Sequence, residues 1–418
     1  MAIDFEHHPV VAQTAMMIQQ LAQNVMRPAA REVDEHEHTD PTAYIHFMWD
    51  VMKSGAGGQA ATQFTGGPKK KDVDPNAPRK PGYGNVLGAV SIEMMSWGDA
   101  GIYLATPVAG LGGAAVAAAG TDEQKEKFLK RFSEGDKPTW GAMAITEPGC
   151  GSDSAAITTT AHLDGDHWVL NGHKIYVTSG KRAIIDSNGF VVVWATVDKS
   201  AGRAGIKSFV VEAGTPGMTL LSLEKKHGIR ASDTAQIVFE NCRVPRSNLL
   251  GSEEIDRNKG FKGVMATFDA TRPAVAASAI GIGRAALEFV QERFAEAGIK
   301  PSYGKAANEL TARERDLMEM EANLKAAWLL TLKAAWMSDN KLHNNLEASI
   351  CKAKAGLAVT QLTQKAVELM GPLGYSREIL LEKWMRDAKI NDIFEGTQQI
   401  NMLIIARRVL GYSRDQLK

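Results

Sequence analysis

Apolar positions along the chain change period twice. From residue 1 to about 140 they recur at helical spacing. The stretch "VVAQTAMMIQQLAQNVM" carries one apolar stripe, and "TDEQKEKFLKRF" has the form of an amphipathic helix with Thr121 as its N-cap. From 141 to about 255 the pattern becomes that of strands. In "TTTAHLDGDHWVLNGHKIYVTSG" apolar and polar residues alternate, with turn signals at Asp164-Gly165 and Asn171-Gly172. "GFVVVWATV", "IKSFVVEAG" and "TAQIVFENCRV" predict further strands. Beyond 256 the helical period returns and persists to 418. "NELTARERDLMEMEANLKAAWLLTLKAAWM" and "LEASICKAKAGLAVTQLTQKAVELM" predict two long helices, and Gly371 to Tyr375 interrupt the pattern before the last segments. The expected organisation is three domains: helices over 1–140, a β region over 141–255 and a helical bundle over 256–418.

One segment fits none of these periods. Thr65 to Gly84, "TGGPKKKDVDPNAPRKPGYG", contains Pro68, Pro75, Pro78 and Pro81 and reads as an exposed basic loop. Part of it is similar to the entry segment of an HMG-box DNA-binding domain. The residues after Gly84 have neither the basic helices nor the aromatic core of such a box, and short basic runs are usually solvated.

Composition narrows the classes further. Of 418 residues, 48 are Lys or Arg and 48 are Asp or Glu, so net charge gives no general attraction for nucleic acid or an anionic membrane. No run of 18 apolar residues appears, so no membrane span is expected. Cys150, Cys242 and Cys351 are too far apart to suggest a metal site or a disulfide framework, and a reducing cytoplasmic setting is expected.

Three motifs are candidates for chemistry, each with a plainer reading beside it. "ITEPGCGSDSAA" (Ile145–Ala156) is glycine-rich, but "ITTTAHL" after it is strand-like, so neither a Rossmann fingerprint nor a P-loop fits. It is either a plain turn into the sheet or, with Thr146, Ser152 and Thr178 at strand ends, a cradle for a planar polar heterocycle. "FDATRPAVAASAIG" places Arg272 before a small-residue helix. Arg272 is either a surface or interface arginine paired with Asp269, or a site residue. Glu395, in "KINDIFEGTQQIN", stands beside Phe394 and Gly396 and ahead of a helix that Thr397 is suited to cap. It is either a solvated carboxylate near a helix start, where the dipole favours negative charge, or a buried base next to a substrate.

Taken together, "ITEPGCGSD", "MATFDATRPAVAASAIG" and "LMGPLGYSREILLEKWMRDAKINDIFEGTQQIN" resemble the signatures of the acyl-CoA dehydrogenase family, in the family's order and along the whole chain. The resemblance implies an α+β multi-domain fold: an N-terminal all-α domain, a central β-barrel or sandwich-like domain and a C-terminal four-helix bundle. It implies FAD between the last two, with Met143, Ile145, Thr146, Tyr176 and Thr178 facing the flavin ring. Ser152 lies along the flavin and CoA side, and Thr397 and Gln399 near the cofactor. It implies Glu395 as the base that takes the α-proton of an acyl-CoA while a hydride leaves Cβ for flavin N5, with Arg272 helping to set its ionisation. Some relatives carry the base at the position of Thr271, which cannot serve here. Trp97, Tyr103, Asp269, Arg272, Phe394, Gly396 and Ser152 are the expected substrate contacts. Electrons are expected to pass to an electron-transfer flavoprotein. An oxidase or monooxygenase on the same fold, or a largely structural subunit, are the alternatives; no metal is expected.

The chain departs from the family where one subunit reaches its neighbour's FAD. An Arg-Lys-Thr-Phe-Gly turn is replaced by Lys300-Pro301-Ser302-Tyr303-Gly304, a glutamine by Thr311, and a Gly-Gly pair by Gly371-Pro372. Lysine does not replace an arginine fork at a phosphate. Either an α₂β₂ assembly with a paralogous subunit or a homotetramer using Lys300 is expected.

Overall fold

The computed structural model describes residues 8–54, 82–256, 262–413 and 416; the side chains of 262–266, 268 and 269 are outside it. Most of the basic loop therefore lies outside the described residues.

The helical period of the first segment is realised as α1 (Pro9–Leu21), α2 (Arg27–Glu35), α3 (Thr42–Lys53), α4 (Gly84–Leu104), α5 (Gly110–Ala119) and α6 (Asp122–Leu129). Thr121 caps α6 in a reciprocal box with Gln124, as its sequence predicts. In α4 the helix is broken at Asp99, whose backbone is extended and whose Oδ1 accepts from Ile102 N at 2.8 Å. Asp99 is thus an N-cap inside a helix, and residues on either side of it face different neighbours.

The middle segment forms one seven-stranded sheet: β1 (Gly141–Ala144), β2 (Thr160–Asp164), β3 (His167–Thr178), β4 (Phe190–Thr196), β5 (Ile206–Glu212), β6 (Met218–Leu223) and β7 (Thr234–Pro245). The order is β1-β4-β2-β3-β7-β6, with β5 paired to β4. β2 and β3 form the hairpin predicted at Asp164-Gly165. The second predicted turn is a correction. Asn171-Gly172 lies inside β3, where the register against β7 shifts. Gly172 is required by space, since a Cβ there would lie 2.3 Å from Thr159 Oγ1.

The third segment contains α7 (Lys262–Glu296), α8 (Ala312–Asp339), α9 (Asn345–Met370), α10 (Leu381–Ala388) and α11 (Gln398–Leu410). α7 packs against α4, α8 and α9 at the centre of the bundle. Its stretch Ala270–Glu296 is apolar and long enough to cross a bilayer, but it is mostly buried by these neighbours, as expected of a core helix. A buried ionic staple joins all three segments. Lys383 Nζ lies 2.5 Å from both Asp99 Oδ2 and Asp387 Oδ2, and Asp387 accepts from Ile229 N at 2.6 Å.

Candidate active site

Glu395 sits between α10 and α11, after a 3₁₀ turn at Lys389–Asp392. Glu395 (φ 52) and Gly396 (φ 93) are both left-handed. That conformation costs a glutamate roughly 1 kcal/mol or more, so its surroundings must hold it. Thr397 caps α11 by accepting from Ile400 N at 3.3 Å. The Gly396 carbonyl accepts from Lys352 Nζ at 2.5 Å and from Asn401 Nδ2 at 2.9 Å.

This turn presents the half-buried Glu395 carboxyl to α7. There Thr271 Oγ1 donates to Glu395 Oε2 at 2.5 Å. Arg272, the next residue, is 2 % exposed and donates from Nη1 to Ser349 Oγ at 3.4 Å. Burial pushes the Glu395 carboxyl above the ordinary range, and the Thr271 hydrogen bond, the Lys352 ammonium and the Arg272 guanidinium oppose it. Lys352 is itself pulled down to about 8 by burial, against the raising influence of Asp392 and Glu395. The half-buried Tyr103 belongs to the same neighbourhood. Its hydroxyl is pushed up by burial, then by Tyr44 and Glu395. Such opposed influences on one carboxyl, beside an aromatic ring and a cavity, are typical of a working base. The cavity bordering Thr271 is about 50 Å³ and is lined by Gly88, Ala89, Ile92, Ala114 and Ala274 among others.

A second group of residues gathers at the ends of β1 and β3. Ile175 N donates to Thr146 O at 2.9 Å, bringing Thr146 beside the Tyr176–Thr178 segment. The "TEPGCGSD" turn is anchored by Glu147. Its carboxylate accepts from the N and Oγ1 of both Thr158 and Thr159 at 2.6–2.9 Å and from Lys174 Nζ at 2.8 Å. Lys174 also donates to Ile145 O at 3.0 Å. Burial alone would raise Glu147, but Lys174 and the threonines outweigh it and hold the carboxyl at about 2.

Sequence models of the three acyl-CoA dehydrogenase domains match the chain in order: the N-terminal domain over 11–136, the middle domain over 142–242 and the C-terminal domain over 258–410. The chain belongs to the acyl-CoA dehydrogenase family. It is 33 % identical over 396 residues to a short-chain-specific acyl-CoA dehydrogenase of Clostridium acetobutylicum, covering 94 % of this chain and 96 % of that one. It is 40 % identical over 291 residues to the mitochondrial short-chain-specific enzyme of Bos taurus, covering 70 % and 67 %. The butyryl-CoA dehydrogenase structure from Megasphaera elsdenii superposes with a TM-score of 0.81 at 30 % identity, over 98 % of this chain and all of that one.

The cofactor of this acyl-CoA dehydrogenase is FAD, and the strand-end group suits it. Tyr176 is 61 % exposed and left-handed (φ 58), an aromatic face beside the half-buried Thr146 and Thr178. A Cβ on Gly149 would meet open space, and one on Gly151 would meet only Thr146 at 3.9 Å. Ser152 is exposed on the same turn, and Gln399 is exposed on α11. Met143 and Ile145 differ from expectation. Their side chains are buried in an apolar cluster with Phe190 and Val192, so their backbone is what a flavin would meet. The Thr397 hydroxyl accepts from Ile400 N in its cap, which leaves its own O–H to donate elsewhere.

Of the expected substrate contacts, Tyr103, Phe394, Gly396 and Arg272 belong to the neighbourhood of Glu395, and Phe394 is half-buried. The side chain of Asp269 lies outside the described ones. Trp97 is a correction. It is buried, its Nε1 donates to Glu288 Oε2 at 2.6 Å, and the Arg27 guanidinium lies 3.6 Å from its ring centre. Glu288 is sixteen residues beyond Arg272 on α7, about 24 Å along the helix axis. Trp97 and Tyr103, six positions apart and on either side of the break at Asp99, face different surroundings. Sequence reasoning missed Lys352. Its signal is a lysine on the apolar face of α9, in line with Ala348, Ala355 and Val359, all buried.

Proposed function

We propose that this FAD-dependent acyl-CoA dehydrogenase desaturates a short acyl-CoA thioester between Cα and Cβ, with Glu395 as the base. The α-C–H bond breaks, its proton passes to a Glu395 oxygen, and its electron pair enters the new C=C bond. Bound FAD supplies the acceptor for the hydride that leaves Cβ. The observation that carries the reading is the Glu395 carboxyl, held by Thr271 and flanked by Lys352 and Arg272. Burial strengthens it as a base, while the three donors and cations keep the ionised form accessible. Thr146, Ser152, Tyr176, Thr178 and Gln399, with the backbone of Met143 and Ile145, would hold the flavin.

Two observations support a short acyl group. The relatives above are short-chain or butyryl enzymes by name, and the cavity at Thr271 has room for about three or four water-sized groups. An electron-transfer flavoprotein is the proposed acceptor, and the cytoplasm, consistent with three free thiols, the proposed setting.

For assembly we favour α₂β₂. The Thr311 hydroxyl is engaged as the N-cap of α8, accepting from Glu314 N at 3.3 Å. Pro372 opens a short helix behind the left-handed Gly371 and has no N–H to offer. Neither position presents an amide donor to a partner's FAD.

Glu395→Gln tests the base. With FAD still bound, anaerobic bleaching by butyryl-CoA should slow by about 10²–10⁴-fold. Desaturation at the wild-type rate would remove Glu395 from the mechanism. Rapid reoxidation of the reduced wild type in air would favour an oxidase instead.

A further inference from the structure

We propose that Lys352 is a positioning residue for the dehydrogenation: its ammonium grips the Gly396 carbonyl and so fixes where the Glu395 carboxyl points. This rests on Glu395 being the base.

The location of Lys352 is unfavourable without such a role. It is 1 % exposed, on a buried helix face that it shares with Ala348, Ser349, Ala355 and Val359. An ammonium there forfeits its hydration, whereas an apolar residue of similar length would not. What it receives in return is concentrated on the catalytic turn. Its Nζ donates to Gly396 O at 2.5 Å, one residue after the base, and Asp392 and Glu395 supply negative charge.

The backbone explains why the grip is needed. Glu395 and Gly396 are consecutive left-handed residues, with no helix or strand ladder to hold them. The Gly396 carbonyl is the point at which two helices hold this turn, α9 through Lys352 and α11 through Asn401, which is fully buried. Asn401 Nδ2 is shared with Thr397 O at 3.0 Å, leaving Lys352 as the closer donor. A rotation of the Glu395–Gly396 peptide would carry the carboxyl away from Thr271 and from the substrate's α-carbon.

Among the described residues, the charged and titratable groups facing this point are Asp392 and Glu395 on the turn, Arg272 on α7, Tyr103 on α4 and Lys352 on α9. Lys352 is thus a mechanical clamp and also a cation near the base. Removing its charge disfavours ionised Glu395, so the acidic limb of the rate profile must move to higher pH.

The test uses the FAD-loaded full-length enzyme with butyryl-CoA, comparing wild type with Lys352→Met and Lys352→Gln. Flavin content and Tm are measured beside the pH profiles of kcat and kcat/KM. Methionine removes both grip and charge. We expect kcat to fall roughly 10–100-fold, with the acidic limb raised by on the order of one pH unit. Glutamine keeps a donor for Gly396 O without charge. It should recover part of the rate and leave the limb displaced. If the methionine variant does not fold, the glutamine variant carries the test through its displaced limb alone. An unmoved limb in either variant, or a rate loss matched entirely by lost flavin, overturns the proposal. Glu395→Gln, run in parallel, identifies failure of the base itself, since only then does it retain activity.

Discussion

Thr271→Val removes a single hydroxyl whose effect on the base can be worked out. The Thr271 Oγ1 donates to Glu395 Oε2 at 2.5 Å, and Thr271 is 8 % exposed, so water replaces it poorly. A hydrogen bond to a charged group contributes about 1.5–3 kcal/mol. Glu395 is only half-buried, so we take the lower end, about 1.5 kcal/mol. At 1.36 kcal/mol per unit this corresponds to roughly one pKa unit. The direction follows from which form the bond favours. Thr271 donates to the carboxylate and so favours ionisation; without it the Glu395 carboxyl binds its proton more tightly. The base works only when ionised, so the acidic limb of kcat/KM should move up by about one unit. Well below the limb the variant should be about tenfold slower at equal pH; well above it the two enzymes should nearly coincide. Valine keeps the branched shape, so Tm should change little. The assay is a pH series of initial rates with butyryl-CoA on FAD-loaded protein. An unchanged limb, or one moved to lower pH, would show that Thr271 does not act on the ionisation of the base.

Two further outcomes are expected. Glu147, held at about 2 against an ordinary 4.5, contributes stability that is fully present above pH 4.5 and lost as pH falls toward 2, on the order of 3 kcal/mol in all. Urea unfolding at successive pH values should show this slope in the wild type and lose it in Glu147→Gln. That variant should also be about 3–5 kcal/mol less stable near neutrality, because it leaves the buried Lys174 unpaired; an unchanged slope would reject Glu147 as its source. If α₂β₂ is the assembly, the chain expressed alone should bind well under one FAD per subunit by flavin absorbance, and full occupancy would instead mean a self-sufficient homo-oligomer.

The parts of this site that obey local rules were legible in sequence, and those set by tertiary packing were not. Thr121 and Thr397 cap helices because a hydroxyl before an apolar period satisfies orphaned N–H groups, whatever surrounds it. Glu395 stood out as a carboxylate among apolar residues beside a glycine. Asn171-Gly172 misled because the dipeptide favours tight turns, yet here the glycine serves the close approach of Thr159. Trp97 misled because sharing a segment with Tyr103 does not mean sharing a face: six positions apart, the two are roughly 240° around a helix even before the break at Asp99. Lys352 escaped notice because hydrophobic patterning treats lysine as a solvent residue. Its burial depends on the Gly396 carbonyl, 44 positions further along the chain.

Misplaced patterning of this kind is informative about function. A lysine on the apolar stripe of α9 and a glutamate in left-handed backbone are each unfavourable locally. They meet at one peptide unit, where the lysine holds the conformation that the glutamate needs. The same pairing balances the chemistry. Burial alone would keep the Glu395 carboxyl protonated and useless for taking a proton, and full solvation would make it too weak a base for an α-C–H bond. Thr271, Arg272 and Lys352 bring the ionised form back within reach while partial burial limits its hydration. A base for a weak carbon acid needs both conditions together, and each of the two local misfits supplies one of them.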